Sequence, residues 1–242
     1  MLHYVSQNLW DWEFLGDVDL HSARVIDACV YETEPGLFKM WYKDENRESH
    51  TYAAVSRDLH RWEVLGEEVS DCAQEGPNVF SLGGKIWMIS DFWSGLAVYS
   101  SDDCTHWTRC PNLLEHSGTR PMDVGLGHHA DVVVRDDRAF LFYFCHPYAC
   151  ELPEDGNHPA DFTDQQRNMA VVQVVELFVQ DDHLVCDPQL LHIANGPFGH
   201  IPGILVKGPV GRTINDHHVS DHGEGGNLCK GINCGRIQVG HE

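Results

Sequence analysis

The chain has 242 residues, a formal net charge of −21 and 42% hydrophobic residues. The acidic excess argues against partners such as nucleic acid and anionic membrane surfaces, which attract basic protein faces. The hydrophobic content is too high for a disordered acidic chain, so we expect a folded protein with a core.

The sequence carries no sign of export or of a membrane span. No apolar run approaches the roughly 20 residues of a membrane-spanning helix. The first residues do not follow the basic-then-apolar pattern of a signal peptide. The nine cysteines are scattered and odd in number, which does not indicate a disulfide framework. We therefore expect a cytoplasmic protein with free thiols and leave its oligomeric state open.

Three segments of the first half repeat the pattern Ser-x-(Asn/Asp)-(Leu/Cys)-x-x-Trp. They begin at Ser6, Ser56 and Ser101, at intervals of 50 and 45 residues. This interval is typical of one four-stranded propeller blade. We expect the Ser and Asn/Asp side chains to bond nearby backbone amides at a tight turn, and the Trp to pack between neighbouring sheets.

Short β-branched and aromatic runs, separated by Gly, Asp and Pro turns, surround these repeats. They predict an all-β chain with blades near residues 25–70, 75–110 and 128–187. Residues 1–16 match the end of a further blade, so we place a β-propeller domain at 1–194. The remaining 195–242 are rich in Gly and His and predict an irregular segment.

Acidic side chains and histidines open the predicted inner strands, which line the central channel of a propeller. Asp27 interrupts an apolar run, Glu75 opens the next inner strand at the matching point, and His128, His129 and Asp131 open the third. These residues are predicted to converge on one axis. Glycoside cleavage uses one carboxylic acid to protonate the leaving oxygen and a second carboxylate to activate water.

The chain resembles glycoside hydrolases of family 43 and their relatives in the same clan of five-bladed β-propellers. The likeness covers roughly residues 4–190. It rests on seven segments: Ile26-Asp-Ala28, Lys39-Met-Trp-Tyr42, Glu75-Gly-Pro-Asn-Val-Phe80, Met88 to Ser100, Gly127-His-His-Ala-Asp131, Val174-Val-Glu-Leu177 and Leu184-Val-Cys-Asp187. The resemblance implies a five-bladed β-propeller. It also implies an inverting hydrolase of O-glycosidic bonds. Such an enzyme would act on plant-type or related oligosaccharides, as arabinosidases and xylosidases do.

The resemblance also implies residue roles. Glu75 is the general acid, and Asp27 is the carboxylate that adjusts the protonation of the acid and orients the substrate. Five further side chains are implied to contact the sugar or face the channel: Trp41, Asp91, Trp93, His128 and His129. The reaction requires no cofactor, and the resemblance implies a calcium ion in the central channel beside His129.

One departure from the family leaves two interpretations open. The family's general base is an Asp on the first strand of the first blade, and no residue of this chain matches it. Either the chain lacks its first strands or it binds glycans without cleaving them. A sialidase-type propeller is a weaker match, because its turn motif has one more residue and an internal Gly.

A third interpretation is zinc binding by the tail. The candidate ligands are Asp216, His217, His218, Asp221, His222, Cys229, Cys234 and His241. Their spacing matches no standard zinc finger.

Overall fold

The computed structural model describes residues 1–156 and 159–186, and the predicted irregular segment with its zinc candidates lies outside this range. Nearly all regular structure in it is strand. The bounds are β1 Leu2–Val5, β2 Glu13–Asp17, β3 Val25–Glu34, β4 Leu37–Asp44, β5 His50–Ser56, β6 Glu63–Val69, β7 Glu75–Leu82, β8 Lys85–Asp91, β9 Leu96–Ser101, β10 Thr108–Leu113, β11 His128–Arg135, β12 Arg138–Cys145, β13 Val171–Gln180 and β14 His183–Cys186. The helical elements are short: α1 Asp164–Arg167 and two single-turn 3-10 segments, Pro153–Asp155 and Pro159–Asp161.

The strands form three four-stranded antiparallel sheets and one two-stranded sheet. Each four-stranded sheet follows chain order, β3 to β6, β7 to β10 and β11 to β14, close to the predicted blade ranges. The first strands β3, β7 and β11 are neighbours. The prediction of an all-β fold built from propeller blades is confirmed, whereas the number five stays a prediction.

The two-stranded sheet has the same register as the outer half of a blade. Gly16 pairs with His3 in β1–β2, as Gly66 pairs with Ala53 in β5–β6, and a register shift follows at the same place in both sheets. Both glycines have φ in the region that side chains disfavour, +132° and +110°. Strands β1 and β2 therefore correspond to the third and fourth strands of a blade.

The repeated Ser-Asp motif forms the same turn three times, as predicted. In the third copy, Ser101 Oγ donates to Asp103 Oδ1 (3.1 Å), and this oxygen accepts the backbone N–H groups of Thr105 and His106 (both 2.8 Å). The backbone N–H donated by His106 is the largest of the effects that lower the pKa of Asp103. Equivalent bonds close the turns that begin at Ser6 and Ser56.

The tryptophan of the third turn packs between two blades as predicted, whereas Trp12 of the first turn is 52% exposed and does not. Trp107 meets Trp41 edge to face with ring centroids 5.8 Å apart, and both indole N–H groups donate to Glu68 Oε1 (2.6 and 2.8 Å). Lys39 Nζ lies 2.6 Å from Glu68 Oε2 and donates to the carbonyl of Cys104. This buried ion pair joins β4 and β6 to the turn of the next blade.

Apolar side chains between the sheets form three buried clusters. One packs the blade β7–β10 against β11–β14, a second packs β3–β6 against β7–β10, and a third covers the opposite face of β3–β6. The seven cysteines in the described ranges are free thiols. Within the same ranges, no helix is long and apolar enough to cross a membrane.

We predict that Glu68→Gln lowers the free energy of unfolding by about 3 kcal/mol, because the ammonium group of Lys39 stays buried without a counter-charge. Chemical denaturation in urea measures this change. The control is Glu63→Gln on the exposed face of the same strand β6, which should change stability by less than about 0.5 kcal/mol. Equal effects of the two substitutions would contradict the structural role of Glu68.

Candidate functional site

The three inner strands are interrupted at the same point of their register. In each strand, the pairing with the second strand of its blade shifts by a bulge near the strand's start. The shifts lie between Ile26 and Cys29, between Glu75 and Asn78, and between His128 and Asp131. Bulges of this kind turn side chains out of the regular alternation of a strand and are common beside active sites.

The bulges correct the predicted alignment of the inner strands. The residues with positive φ inside them are Asp27 (57°), Gly76 (58°) and His129 (28°), so these three positions are equivalent. Glu75 therefore matches Ile26 and not Asp27, one residue away from the prediction. The two carboxylates come from neighbouring rather than identical positions.

The structure brings Asp27, Glu75 and His129 together. Asp27 Oδ2 accepts the backbone N–H of Gly76 (3.3 Å), and Glu75 Oε1 lies 4.0 Å from Nδ1 of His129. Gly76 lets the histidine ring approach, because a β-carbon there would lie 2.9 Å from His129 Nε2. The three side chains thus form one cluster at the bulges of successive inner strands.

Burial, the largest effect, raises the pKa of the Asp27 carboxyl above its usual range. The negative charge of Glu75 raises it further, whereas His129, Lys43 and the N–H of Gly76 act in the opposite direction. The net result favours the protonated form of the Asp27 carboxyl, compared with an exposed aspartate.

An exposed aromatic ring lies beside this cluster. Trp93 exposes 44% of its surface, and its backbone N–H donates to Asp91 Oδ1 (2.7 Å). Lys43 Nζ lies 5.1 Å from the centre of the Trp93 ring and 2.8 Å from Glu75 Oε2. Trp93 therefore keeps the exposure that a sugar platform requires.

Asp91 and His128, two predicted sugar contacts, are buried, and they bond to each other and to neighbouring protein groups. Asp91 is 2% exposed, and its Oδ2 accepts the backbone N–H of His129 (3.0 Å) and lies 3.2 Å from Nδ1 of His128. His128 Nε2 lies 3.0 Å from Glu151 Oε1. The hydrogen bond with Asp91 is the largest effect that raises the pKa of His128. The charges of Asp91 and Glu151 add to it, and burial opposes it.

The structure removes Trp41 from the candidate sugar contacts. Its side chain has no exposed surface, and its indole N–H is already bonded to Glu68. Trp41 lies in the central strand β4, where both faces of the sheet are covered, so no face of the ring is open to a ligand.

The calcium ion that the resemblance implies beside His129 stays a prediction. Calcium takes about six to eight oxygen ligands. Among residues 1–156 and 159–186, no three His, Cys, Asp or Glu side chains are arranged to hold a metal. No step of the proposed chemistry below passes through calcium.

The sequence interpretation missed two charged residues of this site. Lys43 lies at the end of an apolar strand, where a buried lysine is unexpected. Its only sequence signal is that it follows the mostly apolar run of β4. Glu151 follows β12 in a long polar insertion, and no local pattern distinguishes it from its neighbours.

No family model and no curated protein matches the sequence. Among solved structures, a GH32 beta-fructofuranosidase of Bombyx mori in complex with sucrose superposes with a TM-score of 0.56 and 15% identity, over 79% of this chain and 44% of that one.

Two further structures have related folds. One described as a member of the GH130 family of mannoside phosphorylases, which contains hydrolases that target beta-1,2 mannosidic linkages in Candida mannan, gives a TM-score of 0.53 at 15% identity over 76% and 59% of the two chains. A thermostable family-43 glycoside hydrolase gives only 0.47, with 18% identity over 67% and 57%, which is too low to argue from. The fold is that of propeller glycoside hydrolases, and the chain spans about half the length of the first two matches.

We predict that Gly76→Ala destabilises the protein more than Gly36→Ala does. Both glycines have positive φ, so each substitution should cost about 1–2 kcal/mol from backbone strain alone. A β-carbon at Gly36 meets nothing within 4 Å, whereas one at Gly76 meets the His129 ring. The expected excess is about 1 kcal/mol. Equal losses of unfolding free energy in urea denaturation would show that the His129 ring does not pack closely against Gly76.

Proposed function

We propose that this chain carries the sugar-binding and proton-donating groups of a glycoside hydrolase. The observation that carries the proposal is the meeting of Asp27, Glu75 and His129, from three successive inner strands, beside the exposed ring of Trp93. Cleavage of a glycosidic bond needs paired carboxyl groups of this kind. The likeness of fold to the GH32 and GH130 structures supports the same class of reaction.

In this proposal Glu75 is the proton donor. Its side chain is 22% exposed and so can meet a ligand from solvent. As the bond between the sugar carbon and the glycosidic oxygen breaks, the Glu75 proton passes to that oxygen. Asp27 orients the sugar beside this donor. Trp93 offers its face to the C–H surface of a pyranose or furanose ring.

The finer assignment follows the sequence resemblance. We propose an arabinoside or xyloside as substrate, the inverting route of family 43, and His129 as a further sugar contact. The route with inversion places the two working carboxyl groups roughly 6.5–9.5 Å apart, which leaves room for the attacking water. The base for this water has no counterpart in the matched segments.

A second candidate function is sugar binding without cleavage. The contact between Glu75 and Lys43 favours it, because the side chain that would donate the proton already pairs with a buried ammonium group. In this case the same cluster and Trp93 would bind a glycan and release it unchanged.

The test combines turnover with binding on a panel of nitrophenyl pentosides and hexosides. We expect Glu75→Gln to lower kcat/KM by about 10²–10⁴-fold, as the loss of a general acid does. Trp93→Ala should raise KM. The matched controls are Glu63→Gln and Trp10→Ala, two exposed residues on β6 and in the first turn, which should leave both constants unchanged.

Three outcomes separate the two functions. Turnover that Glu75→Gln abolishes supports the hydrolase. Absence of turnover, together with a sugar that raises the melting temperature of the wild type but not of Trp93→Ala, supports sugar binding alone. Full activity of Glu75→Gln, or a wild type that neither turns over nor binds any sugar of the panel, contradicts the proposal.

A further inference from the structure

The side chain of Asp91 bonds to the backbone of two residues that face the candidate site. Its Oδ1 accepts the N–H of Trp93 (2.7 Å), and its Oδ2 accepts the N–H of His129 (3.0 Å). Trp93 follows β8 in the same blade as Asp91, whereas His129 lies on the inner strand β11 of the next blade. One buried carboxyl group therefore connects the proposed sugar platform to the cluster at the bulges.

Both residues have a backbone conformation that needs such a restraint. The φ angles of Trp93 and His129 are 61° and 28°, in the region that residues with a β-carbon disfavour. The bond from the Trp93 N–H spans two residues and is typical of an Asx turn, in which an Asp side chain replaces a backbone acceptor. Without Asp91, we expect both segments to return to ordinary backbone angles and to carry their side chains away from the site.

His128 fixes the orientation of this carboxyl group. Its ring lies between two acidic side chains: Nδ1 is 3.2 Å from Asp91 Oδ2, and Nε2 is 3.0 Å from Glu151 Oε1. The ring also stacks on Phe144 with centroids 5.6 Å apart. Because only 10% of the His128 side chain is exposed, the ring has little room to turn.

Glu151 brings a distant part of the chain into this arrangement. It lies in the segment 146–156, which follows β12, and its Oε2 accepts the N–H of Leu126 (3.0 Å) in the segment before β11. Gly125 permits the approach, because a β-carbon there would lie 2.7 Å from Glu151 Oε2. Glu151 therefore joins two loops to the ring of His128.

We propose that Asp91 and Glu151 are positioning residues of this site. Asp91 holds the backbones of Trp93 and His129, and Glu151 holds the ring of His128 against Asp91. The segment 146–156 thereby controls how tightly the site binds a sugar. The inference rests on the proposed function, because it takes Trp93 and His129 as sugar contacts. Neither acidic side chain need touch the sugar.

A second acidic residue of the same segment offers a comparison. Glu154 Oε1 lies 3.2 Å from Nδ1 of His116, so this glutamate also pairs with a histidine. The Glu154 and His116 side chains are 48% and 84% exposed, whereas those of Glu151 and His128 are 20% and 10% exposed. The exposed pair therefore has the same chemistry without the contact to Asp91.

The first experiment measures the dissociation constants of 4-nitrophenyl xyloside and 4-nitrophenyl arabinoside by calorimetry. All variants carry Glu75→Gln, so that neither probe is cleaved. Glu151→Ala should raise the dissociation constant about tenfold, because His128 loses a hydrogen bond that holds its ring. Glu151→Gln should restore it to within about twofold, because its amide group can donate to His128 Nε2 and accept the N–H of Leu126.

The matched control is Glu154→Ala, which removes the exposed pair from the same segment. It should leave the dissociation constant within about twofold of the parent protein, since exposed pairs of this kind contribute little. An unchanged constant in Glu151→Ala overturns the proposal. An equal rise in Glu154→Ala, or a failure of Glu151→Gln to restore binding, overturns it as well.

A second measurement does not require a sugar. Amide hydrogen exchange, followed by NMR, reports the bonds that Trp93 and His129 donate to Asp91. Glu151→Ala should accelerate the exchange of these two amides by about tenfold, and Glu154→Ala should not. If Glu151→Ala does not fold, Asp91→Asn replaces it. This asparagine keeps the size of the side chain but has one acceptor oxygen, so at least one of the two amides should exchange faster.

The exchange rates separate the inference from the proposed function. Unchanged rates in the folded variant overturn the inference, whatever the protein binds. Faster exchange in a protein that binds neither probe supports the hold of Asp91 and Glu151 on the two backbones, and it refutes only the sugar site.

Discussion

The site depends on two equivalent contacts between polar side chains of neighbouring blades. In the first the second strand supplies the basic residue, and in the second it supplies the acidic one. Lys43 near the end of β4 and Asp91 at the end of β8 occupy equivalent register positions, because each pairs with the residue just before the bulge of its inner strand. Each reaches the first residue of the next inner strand: Lys43 pairs with Glu75, and Asp91 pairs with His128. The contact of Asp91 with His128 is buried and that of Lys43 with Glu75 is partly buried, and each joins one inner strand to the blade before it, next to the bulge.

The bulges convert this scaffold into a site. Without them, successive side chains of an inner strand would alternate between the two faces of the sheet. The extra residues place Asp27 and His129 in the left-handed region and direct their side chains to the same cluster as Glu75. Gly76 fills the equivalent position in the middle strand, where the absence of a side chain leaves space for the ring of His129.

The sequence was sufficient for those features that local chemistry determines. The Ser-Asp-Trp turns could be predicted because their hydrogen bonds lie within a few residues of each other. The all-β class and the approximate blade limits could be predicted because apolar strands and turn residues alternate at the length of a blade. The proximity of Asp27, Glu75 and His129 could be predicted because the first strands of propeller blades line the central channel.

Other features depend on partners that are distant in the chain. A bulge is defined by the pairing of two strands, so the one-residue offset between Asp27 and Glu75 has no signature in either strand alone. Burial distinguishes Trp41, which lies within β4, from Trp93, which follows β8, and burial depends on the neighbouring blades. Lys43 makes its contacts with Glu75 and Trp93, which lie in the next blade, so the sequence around Lys43 does not show them.

The most direct test of the account is a double-mutant cycle on Lys43 and Glu75, with stability measured by urea denaturation of the wild type, Lys43→Met, Glu75→Gln and the double variant. If the contact links the two blades, the double variant should be more stable than the sum of the single losses predicts, by a coupling of about 1–3 kcal/mol. Losses that add within about 0.5 kcal/mol would contradict the account, because the two side chains would then stabilise the protein independently.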